Sequence, residues 1–414
     1  MAAPVSNAPE LSSSVLPPHA HVVAGPDVWM EGAAIDQLAR VAASPGCVKA
    51  VGLPDLHPGP GIPIGAVFAF HNIVRPALVG GDAGCGVRLV ALPKGKLRGD
   101  ALERRVDEAT QGPALPDACP AALLHAVWRD GPRGLAHVKG VPDTLQTLAA
   151  ACPAQAPTVA PPPDLTSFGA ALGTIGGGNH FLELGEVTAV QDRDRAKALG
   201  LKRGGQAILA HSGSRGLGRW LLEQWAGAVL EGDDVYPYLA SLHGAVAYAR
   251  ANRLVLTWRM LKALGAASPG RHGPAFDLVH NDVRIGVVNN APAWIHRKGA
   301  APAEGAQPTV VLGSRGTPSH VMLGSGSQAC LCSVAHGAGR RMGRSEAIAK
   351  LKHRHTRASA RRTGGGRVLC DDTALLFAEH PDAYKAIDPI IASLSDAGAA
   401  TPVASISPRI TVKR

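Results

Sequence analysis

Aromatic residues are scarce in this sequence: Phe, Trp and Tyr together make up 4% of its 414 residues. Proteins that hold nucleic acid by stacking its bases need aromatic side chains, so stacking is not expected as the main binding device. The chain also lacks a run of about 18 consecutive apolar residues, the length that crosses a membrane as a helix. We therefore expect no association with a membrane.

The sequence also lacks a signal peptide and the cysteine pattern of a disulfide-rich protein. Residues 1–18 are mainly Ser, Pro and Ala, without the basic start and apolar core of a signal peptide, which predicts a loose N-terminal segment. The seven cysteines are odd in number and widely spaced, unlike those of a secreted disulfide scaffold. A soluble, cytoplasmic protein with reduced thiols is expected.

Acidic residues are outnumbered by basic ones, 32 against 42, which gives a formal net charge of +10. Such a balance favours a polyanionic partner such as nucleic acid. With few aromatic residues available, we expect contacts with the backbone and its phosphates. Basic residues recur from Lys350 to Arg367 and again around Arg203 and Arg297.

The segment SVAHGAGRRMGR, residues 333–344, places His336 among small residues and follows it with arginines. Gly337 and Gly339 carry no Cβ, so a phosphate could approach the imidazole and the backbone N–H groups closely. Planar guanidinium groups suit phosphate oxygens, and Arg340 and Arg344 would share a face if a helix began here. A glycine turn before a basic surface helix is the alternative.

Five potential metal ligands recur along the sequence, mostly at the ends of predicted strands beside glycine-rich turns. Each alone would more often be a buried core residue, but the repetition of the arrangement favours a metal site. Five ligands exceed the four of a closed zinc site, and a bridging thiolate could serve two cations. Spacing alone makes zinc the default metal. The five are Asp82, Cys85, His180, His211 and His280.

Proline and glycine determine the remaining expectations for the fold. In the stretch DLHPGPGIPIG, residues 55–65, they predict a shaped loop carrying Asp55 and His57. A Pro-rich surface loop or domain boundary is predicted at about 153–163. Because the proposed ligands lie on both sides of that loop and must converge, we favour one compact α+β domain over 19–414. Its mainly antiparallel β core would be flanked by helices, including a long amphipathic one over 234–265.

Taken together, the motifs resemble those of the RtcB RNA ligases, GTP-dependent enzymes of RNA splicing and repair. The resemblance extends from about residue 50 to the C-terminus, with the motifs in the family's order. They are DLHPGPGIPIG, GGDAGCGVR, GTIGGGNHFLE, HSGSRGLG, VHN, HRKGA, GSRGTPSH, HGAGRRMGR, PDAYKAID and ITVKR.

This resemblance implies that Cys85 bridges two Mn(II) ions, so manganese replaces zinc as the expected metal. Asp82 and His180 would complete one site, and His211 and His280 the other. His336 would attack the α-phosphate of GTP to give a histidine-GMP phosphoramidate. The implied guanylate-binding residues are Asn179, Glu183, His280, Asn281, Ser314, Ser319, His336, Gly337, Gly339, Tyr384 and Lys413. The implied RNA phosphate-binding residues are Arg215, Arg340 and Arg344.

The implied substrate is RNA with a 3′-phosphate or 2′,3′-cyclic phosphate end and a 5′-hydroxyl end. Two other functions remain open from the sequence: a metal-dependent phosphoesterase that opens cyclic phosphates without ligation, and a non-catalytic RNA-binding repair factor. Arg315 and His320 depart from the family pattern and resemble a subgroup encoded beside a release-factor-like protein. Whether an archease or a release-factor-like protein is a partner stays open, as does RNA repair against tRNA splicing.

Overall fold

The computed structural model describes residues 15–95, 99–158 and 166–414. Residues 1–14 of the predicted N-terminal segment and 159–163 of the predicted Pro-rich loop lie outside the described residues. Residues 153–158 have no regular secondary structure, as expected for a loop. In the described ranges, no helix has both the length and the apolar character needed to cross a membrane.

Strands and helices alternate irregularly along the chain. The strands are β1 (Ala20–Val22), β2 (Cys47–His57), β3 (Ile64–Phe70), β4 (Ile73–Val74), β5 (Gly86–Leu92), β6 (Phe181–Val190), β7 (Gln206–Ser212), β8 (Leu230–Glu231), β9 (Ala275–Val279), β10 (Asn281–Val288), β11 (Ala291–Lys298), β12 (Ala300–Pro302), β13 (Pro308–Val311), β14 (Ser319–Gly324), β15 (Ser333–Ala335), β16 (Arg362–Thr363), β17 (Gly366–Leu369) and β18 (Ala400–Val412). The α-helices are α1 (Gly32–Ala42), α2 (Gly99–Thr110), α3 (Pro120–Asp130), α4 (Asp143–Ala150), α5 (Thr166–Ala170), α6 (Arg193–Ala198), α7 (Gly216–Gln224), α8 (Val235–Ala263), α9 (Arg344–Leu351), α10 (Arg357–Ala360), α11 (Thr373–Ala378) and α12 (Ile387–Asp396). Short 3-10 helices span Pro76–Leu78, Gly131–His137, Gly232–Asp234 and Pro381–Ala383.

Two sheets organise these elements. The larger runs β13-β14-β18-β6-β7-β5-β9, with β17 added beside β18 and β16 beside β17. The smaller runs β1-β2-β3-β11-β10. Within both sheets the pairings are antiparallel except β17 with β18 and β1 with β2. The prediction of a compact α+β fold with a mainly antiparallel β core is confirmed.

The centre of the larger sheet is covered on both faces. Successive side chains of a strand point to opposite faces, so each strand contributes to two apolar clusters. Leu182, Leu184 and Ile208 pack with the helices on one face. Val187 and Leu209 pack on the other face. Both faces of β6 and β7 are therefore shielded from solvent, and polar side chains at the ends of these strands are buried.

Helix α8 fills the core on the helical face. From Gly244 to Ala263 its residues are almost all buried, including residues on every side of the helix. A Cβ at Gly244 would lie 2.2 Å from Cε2 of Trp128, so glycine is needed where α3 crosses. The predicted bounds of this helix are confirmed within two residues, but its predicted amphipathic character is wrong, because α3, α2 and the sheet enclose it.

The predicted loop over 55–65 begins later than expected. Asp55 and His57 belong to β2 and are buried, and the loop starts at Pro58. The pairing of β2 with β3 changes register between Gly52 and His57. Pro54 falls within this irregular stretch, where its missing N–H interrupts no ladder hydrogen bond. The buried stretch places the Asp55 carboxylate inside the molecule.

Candidate active site

Neighbouring strands of the larger sheet bring the predicted ligands to one place. His211 on β7 lies opposite Val87 on β5 and opposite Phe181 on β6. Gly86 on β5 lies opposite Val279 on β9. The residues next in the chain to Gly86, Phe181 and Val279 therefore lie close to His211, at one edge of the larger sheet. They are Cys85, His180 and His280.

The side chains of all five predicted metal ligands form one connected cluster, in which each contacts at least one other. Sγ of Cys85 lies 3.2 Å from Nε2 of His180 and 3.4 Å from Nε2 of His211. Oδ2 of Asp82 lies 2.9 Å from Nε2 of His180, and Nε2 of His211 lies 3.3 Å from Nε2 of His280. The donor atoms of Cys85, His180 and His211 all lie within 4.8 Å of one another. The convergence expected from the sequence is present.

Burial controls the protonation of this cluster. It raises the pKa of the Cys85 thiol well above its usual value, with the Asp82 carboxylate acting in the same direction. It also lowers the pKa of His211 and His280 far below the usual value, so both imidazoles are neutral and offer a lone pair. A thiol becomes a strong ligand only as the thiolate, so a cation bound here would release a proton.

A buried arginine fixes the turn that carries Asp82 and Cys85. Nη1 of Arg253, on α8, donates hydrogen bonds of 2.8 Å to the carbonyl oxygens of Gly84 and Ser212. Its Nε and Nη2 donate to the Asp277 carboxylate at 2.9 and 2.6 Å. Sequence reasoning missed Arg253, although a charged residue inside the apolar part of a helix was a visible signal.

Asn281 supports the same turn. Its Nδ2 donates to the carbonyl oxygen of Asp82 at 3.0 Å, and its Oδ1 accepts from the N–H of Gly299 at 2.7 Å. The side chain also lines the cavity described below. The structure therefore gives Asn281 a supporting function, and its predicted contact with guanylate stays a prediction.

His336 follows β15 and is oriented by a carboxylate. Its Nδ1 lies 2.7 Å from Oδ2 of Asp55, which is fully buried. When Nδ1 donates its hydrogen to that oxygen, Nε2 keeps a lone pair. A Cβ at Gly339 would lie 2.3 Å from the carbonyl oxygen of Asp55, so this position, with its φ of 71°, requires glycine. The His336 and His280 rings lie 5.0 Å apart between centroids. Sequence reasoning identified His336 but left Asp55 out of the site.

A cavity of about 510 Å³ opens beside His336 and the ligand cluster. This volume suits a nucleotide-sized ligand. The predicted site residues along its wall are Asp82, Cys85, Asn179, Glu183, His211, His280, Asn281, Ser314, His336, Gly337, Gly339, Arg340, Arg344, Tyr384 and Lys413. His180, Arg215 and Ser319 are not among the residues that line this cavity in the described part of the chain.

Two of these three residues, Arg215 and Ser319, contact neighbouring groups of the site instead. Nη1 of Arg215 donates to Nδ1 of His180 at 3.1 Å and to the carbonyl oxygen of Ile175 at 2.9 Å. The Ser319 hydroxyl accepts from the N–H of Gly313 at 3.1 Å and shapes that loop. Both residues therefore position parts of the site, and their predicted ligand contacts stay predictions.

One end of the cavity holds a buried acid and a buried base. The Thr411 hydroxyl donates to Oε2 of Glu183 at 2.6 Å, while burial raises the pKa of Glu183 to about 7. Nζ of Lys413 donates to the carbonyl oxygens of Gly178 and His180 at 2.9 Å each. Burial lowers the pKa of Lys413 to about 8.

Glu379, which sequence reasoning also missed, links the two predicted RNA-binding arginines. Its Oε1 lies 3.0 Å from Nη1 of Arg340 and 3.5 Å from Nε of Arg344, and its Oε2 accepts a short hydrogen bond from Tyr384. The helix α9 begins at Arg344, so the condition for a shared helix face is not met, and a carboxylate joins the two side chains instead. Arg340 is nearly buried, whereas Arg344 is exposed.

Comparison with known proteins extends the similarity to nearly the whole chain. The family model described as tRNA-splicing ligase RtcB matches residues 37–234 and 222–414. RNA-splicing ligase RtcB2 of Escherichia coli is 34% identical over 403 residues, which cover 94% of each chain. RNA-splicing ligase RtcB of Mycobacterium bovis is 32% identical over 451 residues, covering 91% of this chain and 100% of the relative. tRNA-splicing ligase RtcB of Archaeoglobus fulgidus is 28% identical, with 92% and 90% covered.

Proposed function

The chain belongs to the RtcB family, and on that premise we propose that it is a GTP- and Mn(II)-dependent RNA ligase. It joins an RNA 3′-phosphate or 2′,3′-cyclic phosphate end to a 5′-hydroxyl end through a histidine-GMP intermediate. One observation carries the proposal. His336, hydrogen-bonded to Asp55, borders a nucleotide-sized cavity whose wall also contains four of the five clustered ligands.

The donor set fits two divalent cations. It combines a thiol, a carboxylate and three imidazoles, all in a region closed by the sheet and α8, and such mixed S, N and O donors suit first-row transition metals. We assign Asp82, Cys85 and His180 to one cation, and Cys85, His211 and His280 to the other. When bound, the cations supply charge stabilisation to phosphate oxygens and to the leaving group.

In the first step, Asp55 keeps the proton on Nδ1 of His336, so the lone pair of Nε2 faces the α-phosphate of GTP. The Nε2–P bond forms, the bond from that phosphorus to the β-phosphate oxygen breaks, and pyrophosphate leaves. The imidazole gains positive charge as it attacks. The adjacent Asp55 carboxylate stabilises that charge and holds the ring in the attacking orientation.

In the second step, an oxygen of the RNA 3′-phosphate attacks the phosphorus of histidine-GMP, and the Nε2–P bond breaks. His336 recovers its lone pair and the RNA end now carries GMP. In the third step, the 5′-hydroxyl oxygen attacks the RNA phosphate, the bond from that phosphorus to GMP breaks and GMP leaves, and the hydroxyl proton is released to solvent. A cyclic phosphate is first hydrolysed to the 3′-phosphate. The GMP transfer is needed because a phosphate monoester has no good leaving group.

The chemistry of guanine supports the position of the base at the Glu183 end of the cavity. Guanine presents two N–H donors beside a carbonyl acceptor. Glu183 offers carboxylate oxygens, and Lys413 offers a buried ammonium group. Tyr384 adds an aromatic side chain to the same wall. Acceptor and donor groups therefore match the edge of the base.

Incubation with α-labelled GTP and Mn(II), followed by RNA with cyclic phosphate and 5′-hydroxyl ends, tests the proposal. We expect an acid-labile protein adduct that His336→Ala abolishes and that RNA consumes during ligation. His353→Ala, at an exposed histidine, is the matched control and should keep the adduct. Opening of the cyclic phosphate without an adduct would indicate the phosphoesterase, and RNA binding without either reaction would indicate the non-catalytic factor.

A further inference from the structure

The net charge of the chain is concentrated in one short segment. Residues 340–367 contain ten Lys and Arg and a single acid, Glu346, which leaves a charge of +9. The rest of the chain has thirty-two Lys and Arg against thirty-one Asp and Glu, a charge of +1. The basic residues around Arg203 and Arg297 are thus almost balanced by acidic residues elsewhere in the chain. This one segment carries nearly all of the net charge.

This segment folds into α9, α10 and the β16–β17 hairpin, with a turn between the two helices. Four of its exposed cations, which we call the basic face, are Lys352, Arg354, Arg357 and Arg362. In the described part of the chain, no carboxylate forms an ion pair with any of these four. Other cations of the segment are engaged, since Lys350 pairs with Glu346 and Arg367 with Glu103. The basic face is thus free to bind an anion.

The basic face is attached to the wall of the active-site cavity. α9 begins at Arg344, which lines the cavity. Nη2 of Arg315, in the neighbouring cavity loop, donates to the carbonyl oxygen of Ala360 at 3.1 Å. The Thr363 hydroxyl donates back to the carbonyl oxygen of Arg315 at 3.1 Å. α10 and the hairpin are therefore fixed relative to the cavity, and a polyanion on the basic face would lie beside its opening.

We propose that the basic face binds the phosphate backbone of the RNA strand whose end enters the cavity, an inference that rests on the proposed function. Residues 340–367 contain no Phe, Trp or Tyr, the main side chains on which bases stack, so the segment favours sequence-independent recognition of the backbone. None of the large exposed apolar side chains of the described residues belongs to this segment, which disfavours insertion into a lipid surface.

The test uses the full chain with Lys352→Gln, Arg354→Gln, Arg357→Gln and Arg362→Gln together. Its affinity for a single-stranded RNA ending in a 3′-phosphate is measured across a range of NaCl concentrations. Each phosphate contact on a single strand contributes about 0.7 to the slope of log affinity against log salt. The slope should therefore flatten by up to about 3, while labelling of His336 by GTP stays unchanged.

A control with the same loss of charge separates the basic face from a general charge effect. Arg193→Gln, Lys197→Gln, Lys202→Gln and Arg203→Gln alter four exposed cations of another region and should leave the slope as it is. The double variant of Lys352 and Arg354, both in the turn, should give about half the change. If the quadruple variant does not fold, the slope measured for the double variant tests the proposal.

Equal slopes for the basic-face variants and the unaltered protein would overturn the inference, as would an equal loss in the control. If the basic-face variants lost binding to phosphatidylserine vesicles but kept their RNA affinity, the proposal would be overturned in favour of a membrane surface. RNA affinity is measured without GTP, so its result is independent of histidine labelling. A flattened slope in a protein that forms no adduct would support the basic face while contradicting the ligase mechanism.

Discussion

Asp55 and His336 are joined by a 2.7 Å hydrogen bond between Oδ2 and Nδ1, although 281 positions separate them in the sequence. This contact links the smaller sheet to the segment that follows β15. It leaves Nε2 of the imidazole as the available nucleophile, and it places a negative charge behind the ring. Both effects assist attack on a phosphate.

Replacing Asp55 should therefore slow the first chemical step. Asp55→Asn keeps the size of the side chain but removes the charge that stabilises the imidazolium and the preference for a hydrogen on Nδ1. We expect the single-turnover rate of GMP transfer to fall on the order of 10²- to 10⁴-fold. The metal content should not change. A labelling rate equal to that of the unaltered protein would show that Asp55 does not orient His336.

Cys85 should be required for metal binding. Cys85→Ser removes the thiolate that we assign to both cations, and a serine hydroxyl is a weaker ligand for a transition metal. Metal analysis of the purified variant should show less manganese per chain than the unaltered protein. Cys330→Ser, at another buried cysteine, is the control and should retain the metal. Unchanged content in Cys85→Ser would contradict the bridging assignment.

The affinity for GTP should be highest near neutral pH, because Glu183 and Lys413 titrate on opposite sides of the maximum. The pKa of Glu183 is about 7, so raising the pH through that value creates the carboxylate that accepts from guanine. The pKa of Lys413 is about 8, so a further rise removes the ammonium donor. Calorimetric titration of GTP, in a His336→Ala background that prevents reaction, should give a maximum between these values.

The acidic limb of that profile belongs to Glu183. Glu183→Gln should bind GTP more weakly at pH 8, and its affinity should no longer rise as the pH increases from 6 to 7, because the titrating group is gone. Glu186→Gln is the control, since that carboxylate contacts Arg409 at the surface and should leave the limb in place. An unchanged acidic limb in Glu183→Gln would assign it to another group.

Arg253 should contribute strongly to stability. Arg253→Met leaves Asp277 with a poorer partner and removes two donors from the ligand-bearing turn, so the free energy of unfolding should fall by about 3–5 kcal/mol. Urea unfolding of the metal-free protein measures this loss. Arg250→Met is the comparison, because Arg250 is partly exposed and its Nε lies 3.7 Å from the same carboxylate, so the effect should be smaller. Equal effects would contradict the importance of the buried contacts.

The ligand cluster could be predicted from the sequence because its local signals are strong. Most of the ligands lie at the end of an apolar strand beside a glycine-rich turn, and short apolar runs identify strands without any knowledge of their partners. The convergence of Cys85, His180, His211 and His280 then follows from the pairing of β5, β6, β7 and β9. The chemistry of each ligand is therefore readable locally, whereas the position of the cluster depends on the pairing of distant strands.

Arg253, Glu379 and the function of Asp55 could not be predicted in the same way. Each acts on residues far away in the sequence, and local patterns do not show which distant element an inward-pointing charge will meet. The same reason explains the error over α8. A helix that is surrounded by other elements has no solvent face, and its periodic pattern does not reveal that enclosure.

Manganese anomalous diffraction from crystals of the protein grown with Mn(II) tests the central claim most directly. Two anomalous peaks are expected, each within bonding distance of Sγ of Cys85. One should also contact Asp82 and His180, and the other His211 and His280. A single peak, or peaks away from Cys85, would contradict the paired-cation site beside His336.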